Sequence, residues 1–168
     1  CRGEGRLARD RKIEIKVPAG VESGMRLRLT GEGEAGPRAK GDLYVHLFVK
    51  PHSVFHRDGA DLLLDYPVNV SQASLGAEVE VPTLNGRVTM KVPSGTQSAT
   101  VFRVRGKGLP ELHGRGKGDL LVRVIVETPT NLNKAQRKFM EDFGGTFGDK
   151  SYPKSRSFLD AVKGLLKG

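Results

Sequence analysis

Apolar and polar residues alternate along most of this chain, the pattern of strands with one buried face. Ile13, Ile15 and Val17 alternate with Glu14 and Lys16 until Pro18-Ala19-Gly20 breaks the run. Met25, Leu27 and Leu29 alternate with Arg26 and Arg28. Leu43, Val45, Leu47 and Val49 form one face of a third strand, and its other face carries Tyr44, His46 and Phe48. That strand is therefore expected to be covered on both sides. Leu62-Leu63-Leu64 opens a strand expected to end near Pro67, and Ser71 to Leu75 suits one helical turn. Ala77 to Val81 and Val88 to Val92 read as a hairpin around Leu84-Asn85-Gly86-Arg87, with an Asn-Gly turn. Val101, Phe102 and Val104 predict one further strand, and Leu120, Val122, Val124 and Val126 the last.

The period changes near the C-terminus. Asn133 is a good N-cap, and Gln136 three residues on completes a capping box. Ala135, Phe139, Met140 and Phe143 share a helix face, which Gly144-Gly145 ends. Residues 146–156 read as a linker. Phe158, Leu159, Val162, Leu165 and Leu166 then fall on one face of a short amphipathic helix. So short a helix is marginal alone. It must dock on its own domain or on another chain, and both remain open.

The chain also repeats itself. Residues 17–33 and 92–108 align without a gap, and seven of the seventeen positions are identical. Lys117-Gly118-Asp119-Leu120 then repeats Lys40-Gly41-Asp42-Leu43 after a two-residue slip. A duplication this long predicts two similar modules in tandem, each burying its own core. The second copy is preceded by a strand, a turn and a strand over 61–86, but the first by about ten polar residues. The first module is therefore expected to lack its opening strands, and the natural protein to extend N-terminally. The boundaries follow: 1–10 a lead-in, 11–60 the first module, 61–143 the second, and 144–168 a linker with the terminal helix.

Composition narrows the function classes. The chain has 168 residues, 37% of them hydrophobic, with 22 Gly and 9 Pro, which suits an all-β protein with many turns. No apolar run approaches a membrane span and no signal-peptide pattern opens the chain. A single Cys excludes an internal disulfide. The net charge of +9 raises the alternative of a basic β-domain that binds nucleic acid. The basic residues are nevertheless spread along strands (Arg26, Arg28, Arg103, Arg105, Arg123), as on solvated sheet faces, without a stripe interleaved with aromatics.

Catalytic chemistry finds little support. Gly31-Glu32-Gly33-Glu34-Ala35-Gly36 matches the dinucleotide fingerprint formally, but Pro37 follows where a helix N-terminus would have to hold the phosphates. His52 and His56 have the spacing of a helical metal pair but sit in a loop headed by Pro51 and read as solvated loop histidines. No nucleophile has an evident base and orienter, so no catalytic residues are assigned.

These motifs resemble one family. Cys1-Arg2-Gly3-Glu4-Gly5 resembles the last half of the C-x-x-C-x-G-x-G zinc repeats of bacterial zinc-containing DnaJ-type co-chaperones. Val17-Pro18-Ala19-Gly20-Val21, Gly31 to Gly36, Gly41-Asp42-Leu43-Tyr44-Val45, Val81-Pro82-Thr83-Leu84, Arg105-Gly106-Lys107-Gly108, Gly118-Asp119-Leu120-Leu121 and Ser157-Phe158-Leu159-Asp160 follow that family's C-terminal region. The resemblance covers essentially the whole chain. It implies an all-β fold with short helices: two tandem β-sandwich-like domains and a C-terminal helical dimerisation segment. It implies a cytoplasmic, non-enzymatic co-chaperone that binds unfolded or extended polypeptides and passes them to a DnaK-type ATP-driven chaperone. By position, Ile13 and Val45 match lining sites of the client pocket, with Ile15 and Leu47 as neighbours. Phe158, Leu159, Val162, Leu165 and Leu166 match the segment that joins two copies in a homodimer. Cys1 matches a zinc ligand of the full-length protein, and residues 1–10 then read as the remnant of the zinc-binding region. No zinc or other cofactor is expected in this chain, which carries one such Cys and no His-Pro-Asp motif of the J-domain.

Overall fold

The computed structural model describes residues 10–166 except Ala35, Pro37, Arg38, His113 and Arg115. The fold is all-β with short helices. β1 (Arg26–Leu29) pairs antiparallel with β2 (Leu43–His46) as a two-stranded ribbon. β3 (Phe55–Asp58), β4 (Asp61–Asn69), β7 (Val101–Val104) and β8 (Leu120–Glu127) form a sheet in the order β3-β4-β8-β7. β5 (Ala77–Thr83) and β6 (Gly86–Val92) form a hairpin. Helix α1 (Val70–Leu75) links β4 to β5, and Asn69 and Gln72 close a capping box on it.

Residues up to Glu127 form one compact unit, and Thr128–Gly168 a second. The second unit holds α2 (Lys134–Gly144), a 3₁₀ turn at Asp149–Ser151 and α3 (Pro153–Leu165). Asn133 and Gln136 cap α2 reciprocally, at 2.8 and 2.9 Å, as their spacing predicts. α2 groups with α3 rather than with residues 61–127. Phe139, Phe143, Phe147 and Tyr152 form a chain of aromatic contacts at 4.6–6.0 Å between centroids, which ties the 146–152 segment to α2. The linker expected over 146–156 is thus partly helical. Pro153 stands in the first turn of α3, where its missing N–H costs nothing.

The core lies wholly within residues 55–124. Leu62 and Leu64 of β4 and Leu120 and Val122 of β8 pack against Val79, Val81, Met90 and Val92 of the β5–β6 hairpin, giving two layers. Val68, Val124 and Ala73 of α1 form a second, smaller cluster. Pro67 does not end its strand as expected. β3 pairs with β4 only as far as Leu64, so Pro67 lies where β4 has a partner on the β8 side alone, and a residue without N–H fits there. Gly86 pairs with Thr83, which leaves Leu84 and Asn85 as the two-residue turn.

The duplication is visible bond for bond. Arg26–Leu29 pairs with Leu43–His46 in the register in which Val101–Val104 pairs with Leu120–Arg123. The Gly24 amide donates to the Leu47 carbonyl at 2.8 Å, and the Ala99 amide to Val124 at 2.7 Å. Ser23 Oγ accepts from the Val49 amide at 3.2 Å, and Ser98 Oγ from Val126 at 3.1 Å. Asp42 accepts from the Gly31 amide at 2.9 Å, and Asp119 from Gly106 at 2.8 Å. Of the repeated glycines, Gly31 and Gly106 hold left-handed φ of +71° and +66°, and Gly33 and Gly108 are explained by close approach. A Cβ on Gly33 would stand 2.6 Å from the Asp42 carbonyl oxygen, and one on Gly108 2.6 Å from that of Ala60. The Gly31 amide and the Arg28 guanidinium, which donates at 2.7 Å, hold the Asp42 carboxyl below its usual pKa. Arg123 does the same for Asp65 through bonds of 2.6 and 2.7 Å.

One repeated position breaks the rule. Gly24 has φ +88°, and its counterpart Ala99 holds φ +68°. A side chain in this left-handed region costs roughly 1–2 kcal/mol. Ala99→Gly is therefore expected to stabilise the chain by about 1 kcal/mol, and Gly24→Ala to destabilise it by a similar amount. Urea titration followed by far-UV circular dichroism checks both. The same sign for both would refute the shared geometry.

Candidate functional site

The first copy presents an apolar β-face without the cover that its twin has. Leu43 and Val45 lie on β2 and point to one side with Leu27 and Leu29 of β1. Leu47 lies just past β2 but keeps the ladder going, its amide donating to the Met25 carbonyl at 2.8 Å. All of these side chains are half-buried. Their counterparts in the second copy, Leu120, Val122 and Val124, have no exposed surface at all. The difference comes from the layer above. In the second copy β5 and β6 close over Leu120 and Val122 and α1 packs on Val124, and no described strand lies over the first copy's face.

Ile13 and Ile15 stand, by the repeat, where Val88 and Met90 of β6 stand in the second copy. They are half-buried, alternating with exposed Lys12, Glu14 and Lys16. The strand expected over Ile13 to Val17 does not form. β6 is a strand because β5 satisfies its amides, and residues 13–17 have no such partner among the described residues. The segment has no regular secondary structure and is held at one end by the Arg11–Glu32 ion pair at 2.8 Å. Val17 accordingly is 50% exposed where Val92 is 1% exposed. The expectation that each copy buries its own core is thus corrected: among the described residues from 11 to 54, none is buried.

The opposite face of β2 departs from expectation too. Tyr44 is 54% and Phe48 81% exposed, so β2 is not covered on both sides. Arg26 and Arg28 stand directly across from His46 and Tyr44. Cross-strand register thereby brings two arginines beside an aromatic row. The linear sequence hides this pairing, since some eighteen residues separate the partners.

The terminal positions remain apolar and accessible. Phe158, Leu159, Leu165 and Leu166 are exposed and Val162 is half-buried on α3, with Leu166 at its C-cap. His52 is no freely solvated histidine. Its Nδ1 accepts from the Val54 and Phe55 amides at 3.1 and 3.3 Å, so it shapes the loop leading into β3. His56 lies on β3 rather than in a loop. Cys1 lies outside the described residues, and among those residues no three His, Cys, Asp or Glu side chains gather as a metal site. No helix among them is long and apolar enough to cross a membrane. The loop at Gly31–Gly36 leads to β2 and not into a helix, so it has no anion-binding N-terminus.

The chain is an internally duplicated β-protein with a half-open apolar face in one copy. Residues 6–129 match the family model of the DnaJ C terminal domain, and the chain belongs to that family. The family is one of chaperone domains, not of enzymes, and a DnaJ-type co-chaperone role follows in general terms.

The asymmetry between the copies has a thermodynamic consequence. Val122→Ala is expected to cost about 2 kcal/mol or more, because it empties closed core. Val45→Ala, at the same place in the half-open copy, should cost less than about 1 kcal/mol. Chemical denaturation of both variants checks this, and equal losses would mean that the first face is as closed as the second.

Proposed function

We propose that the face formed by Val45 and Leu47, with Ile13 and Ile15 beside it, binds unfolded or extended polypeptide segments. One observation carries the reading: Val45 and Leu47, whose structural twins Val122 and Val124 are fully buried core, are here half-exposed on a ribbon that has an open edge among the described residues. An extended client can satisfy both needs, adding its backbone to the edge and its apolar side chains to the face. In this reading the chain serves in the cytoplasm and hands its clients to a DnaK-type chaperone, as family membership supports. Zinc belongs only to a longer protein in which Cys1 has its partner ligands. The exposed Phe158, Leu159, Leu165 and Leu166, with Val162, then join two copies, since a monomer would leave this apolar surface in water.

A second reading has its own observation. Arg26, Arg28, Tyr44, His46 and Phe48 together make a basic, aromatic outer face on β1–β2, of the kind that stacks single-stranded nucleic acid.

Salt separates the two. A labelled, uncharged, Leu-rich peptide is expected to bind almost equally at about 50 and 200 mM salt, whereas a phosphate-driven complex weakens steeply over that range. Ile13→Ser and Val45→Ser should each weaken the peptide several-fold, measured by fluorescence anisotropy. Indifference to both substitutions refutes the assigned face. For the dimer, sedimentation at micromolar concentration should show two copies that Leu165→Asp separates. A monomer unaffected by that change refutes the role of α3.

A further inference from the structure

A cavity of about 690 Å³ opens between the end of the first copy and the start of the second, within the range of sites that hold ligands. None of Ile13, Ile15, Val45 and Leu47 lines it. Its shape depends on Arg57, whose guanidinium donates to the carbonyls of Val21, Gly20 and Gly59 at 2.5, 2.9 and 2.7 Å. These bonds fix the Gly20–Ser23 turn of the first copy against the β3–β4 hairpin of the second. Arg57 also stands 3.7 Å from Glu22, the only carboxylate that lines the space. Arg57 therefore builds the cavity and has little left for a ligand.

The interior is apolar. Phe55 and Leu62, 8% and 4% exposed, belong to the core and form its floor, with Val21, Leu84 and Leu109 around them. This suits a large aliphatic side chain. The rim is basic. Lys50 lines it and has no carboxylate partner among the described residues. His52 lines it too, and its Nδ1 is committed as an acceptor of two backbone amides. The ring proton of neutral His52 must then sit on Nε2, a donor with no acceptor among the described residues. An ammonium and an imidazole N–H at the mouth of an apolar space, with the one lining carboxylate already paired, call for an anion attached to an apolar group.

We propose that this cavity binds a peptide segment in which a carboxylate side chain stands next to a large aliphatic one. The Leu side chain of such a segment occupies the Phe55–Leu62 floor, and its neighbouring Glu accepts from Lys50 and His52. The site is thus selective for sequence, where the face around Val45 selects only for apolar, extended chain.

Two labelled hexapeptides test this, identical except that one has Glu and the other Gln beside a Leu, titrated by anisotropy into the 168-residue chain. The Glu peptide is expected to bind about tenfold tighter, as for a hydrogen-bonded carboxylate–ammonium pair. Lys50→Glu should abolish that preference and Lys50→Arg keep it. Leu84→Ser should weaken both peptides, and Val45→Ser should leave the preference intact. Lys50 and Leu84 are exposed, so unchanged thermal melting is expected for these variants. Equal binding of the two peptides, a preference that survives Lys50→Glu, or no binding of the Glu peptide overturns the proposal. None of these outcomes touches the uncharged-peptide result on Ile13 and Val45, so the two readings fail separately.

Discussion

β8 is paired on both sides, parallel to β4 and antiparallel to β7, and Leu120, Val122 and Val124 on it are wholly inaccessible. Closing the β5–β6 hairpin over Leu120 and Val122, with α1 packed on Val124, is the event on which the first compact unit depends. Fully burying a side chain of this size contributes about 1.5–3 kcal/mol, so this one face outweighs the surface ion pairs of the chain. The remaining structure is arranged around it. α1 caps one end through Ala73, and β3 extends the sheet through Phe55. Through Arg57, β3 also carries the first copy.

The two copies show how the same local rules give different results when the cover differs. Both keep the Asp–Gly clamp, the Ser-to-amide bond and the strand register. These features belong to each copy's own ribbon, set by glycines at positive φ in the clamp and by side chains that reach one loop away. Burial is not short-range. The second copy becomes a core because a second layer lies on it, and the first stays half-open because, among the described residues, only 13–17 stand where a hairpin stands in its twin. A chaperone domain needs apolar surface that is accessible yet attached to something stable. The duplication supplies both from one motif.

Two kinds of surface result. The β2 face is apolar and half-open, and an open strand edge is of the kind that can accept backbone without regard to sequence. The cavity between the copies is deep, with donors at its mouth. In the proposed reading, an extended segment is held at one place and a particular pair of side chains is read at the other.

The sequence by itself determined the strands and helices whose reasons are local: alternation on β1, β2, β5, β6 and β8, the apolar runs that open β4 and β7, the capping box at Asn133 and Gln136, the amphipathic stripe from Phe158 to Leu166, and the duplication with its glycines. It also marked Ile13 and Val45 through a family resemblance. Only the tertiary structure decided which of two equally alternating faces becomes core, because that depends on a covering layer distant in sequence. Ile13 to Val17 reads as well as Val88 to Val92, yet only the latter has a partner to take its amides. Tyr44 and Phe48 read as buried, yet nothing described lies over them. His52 reads as an idle loop histidine, yet its ring nitrogen holds a turn together. The cavity lining comes from residues 20–23, 49–62, 84 and 109, which no pattern along the chain connects and which only folding brings to one place.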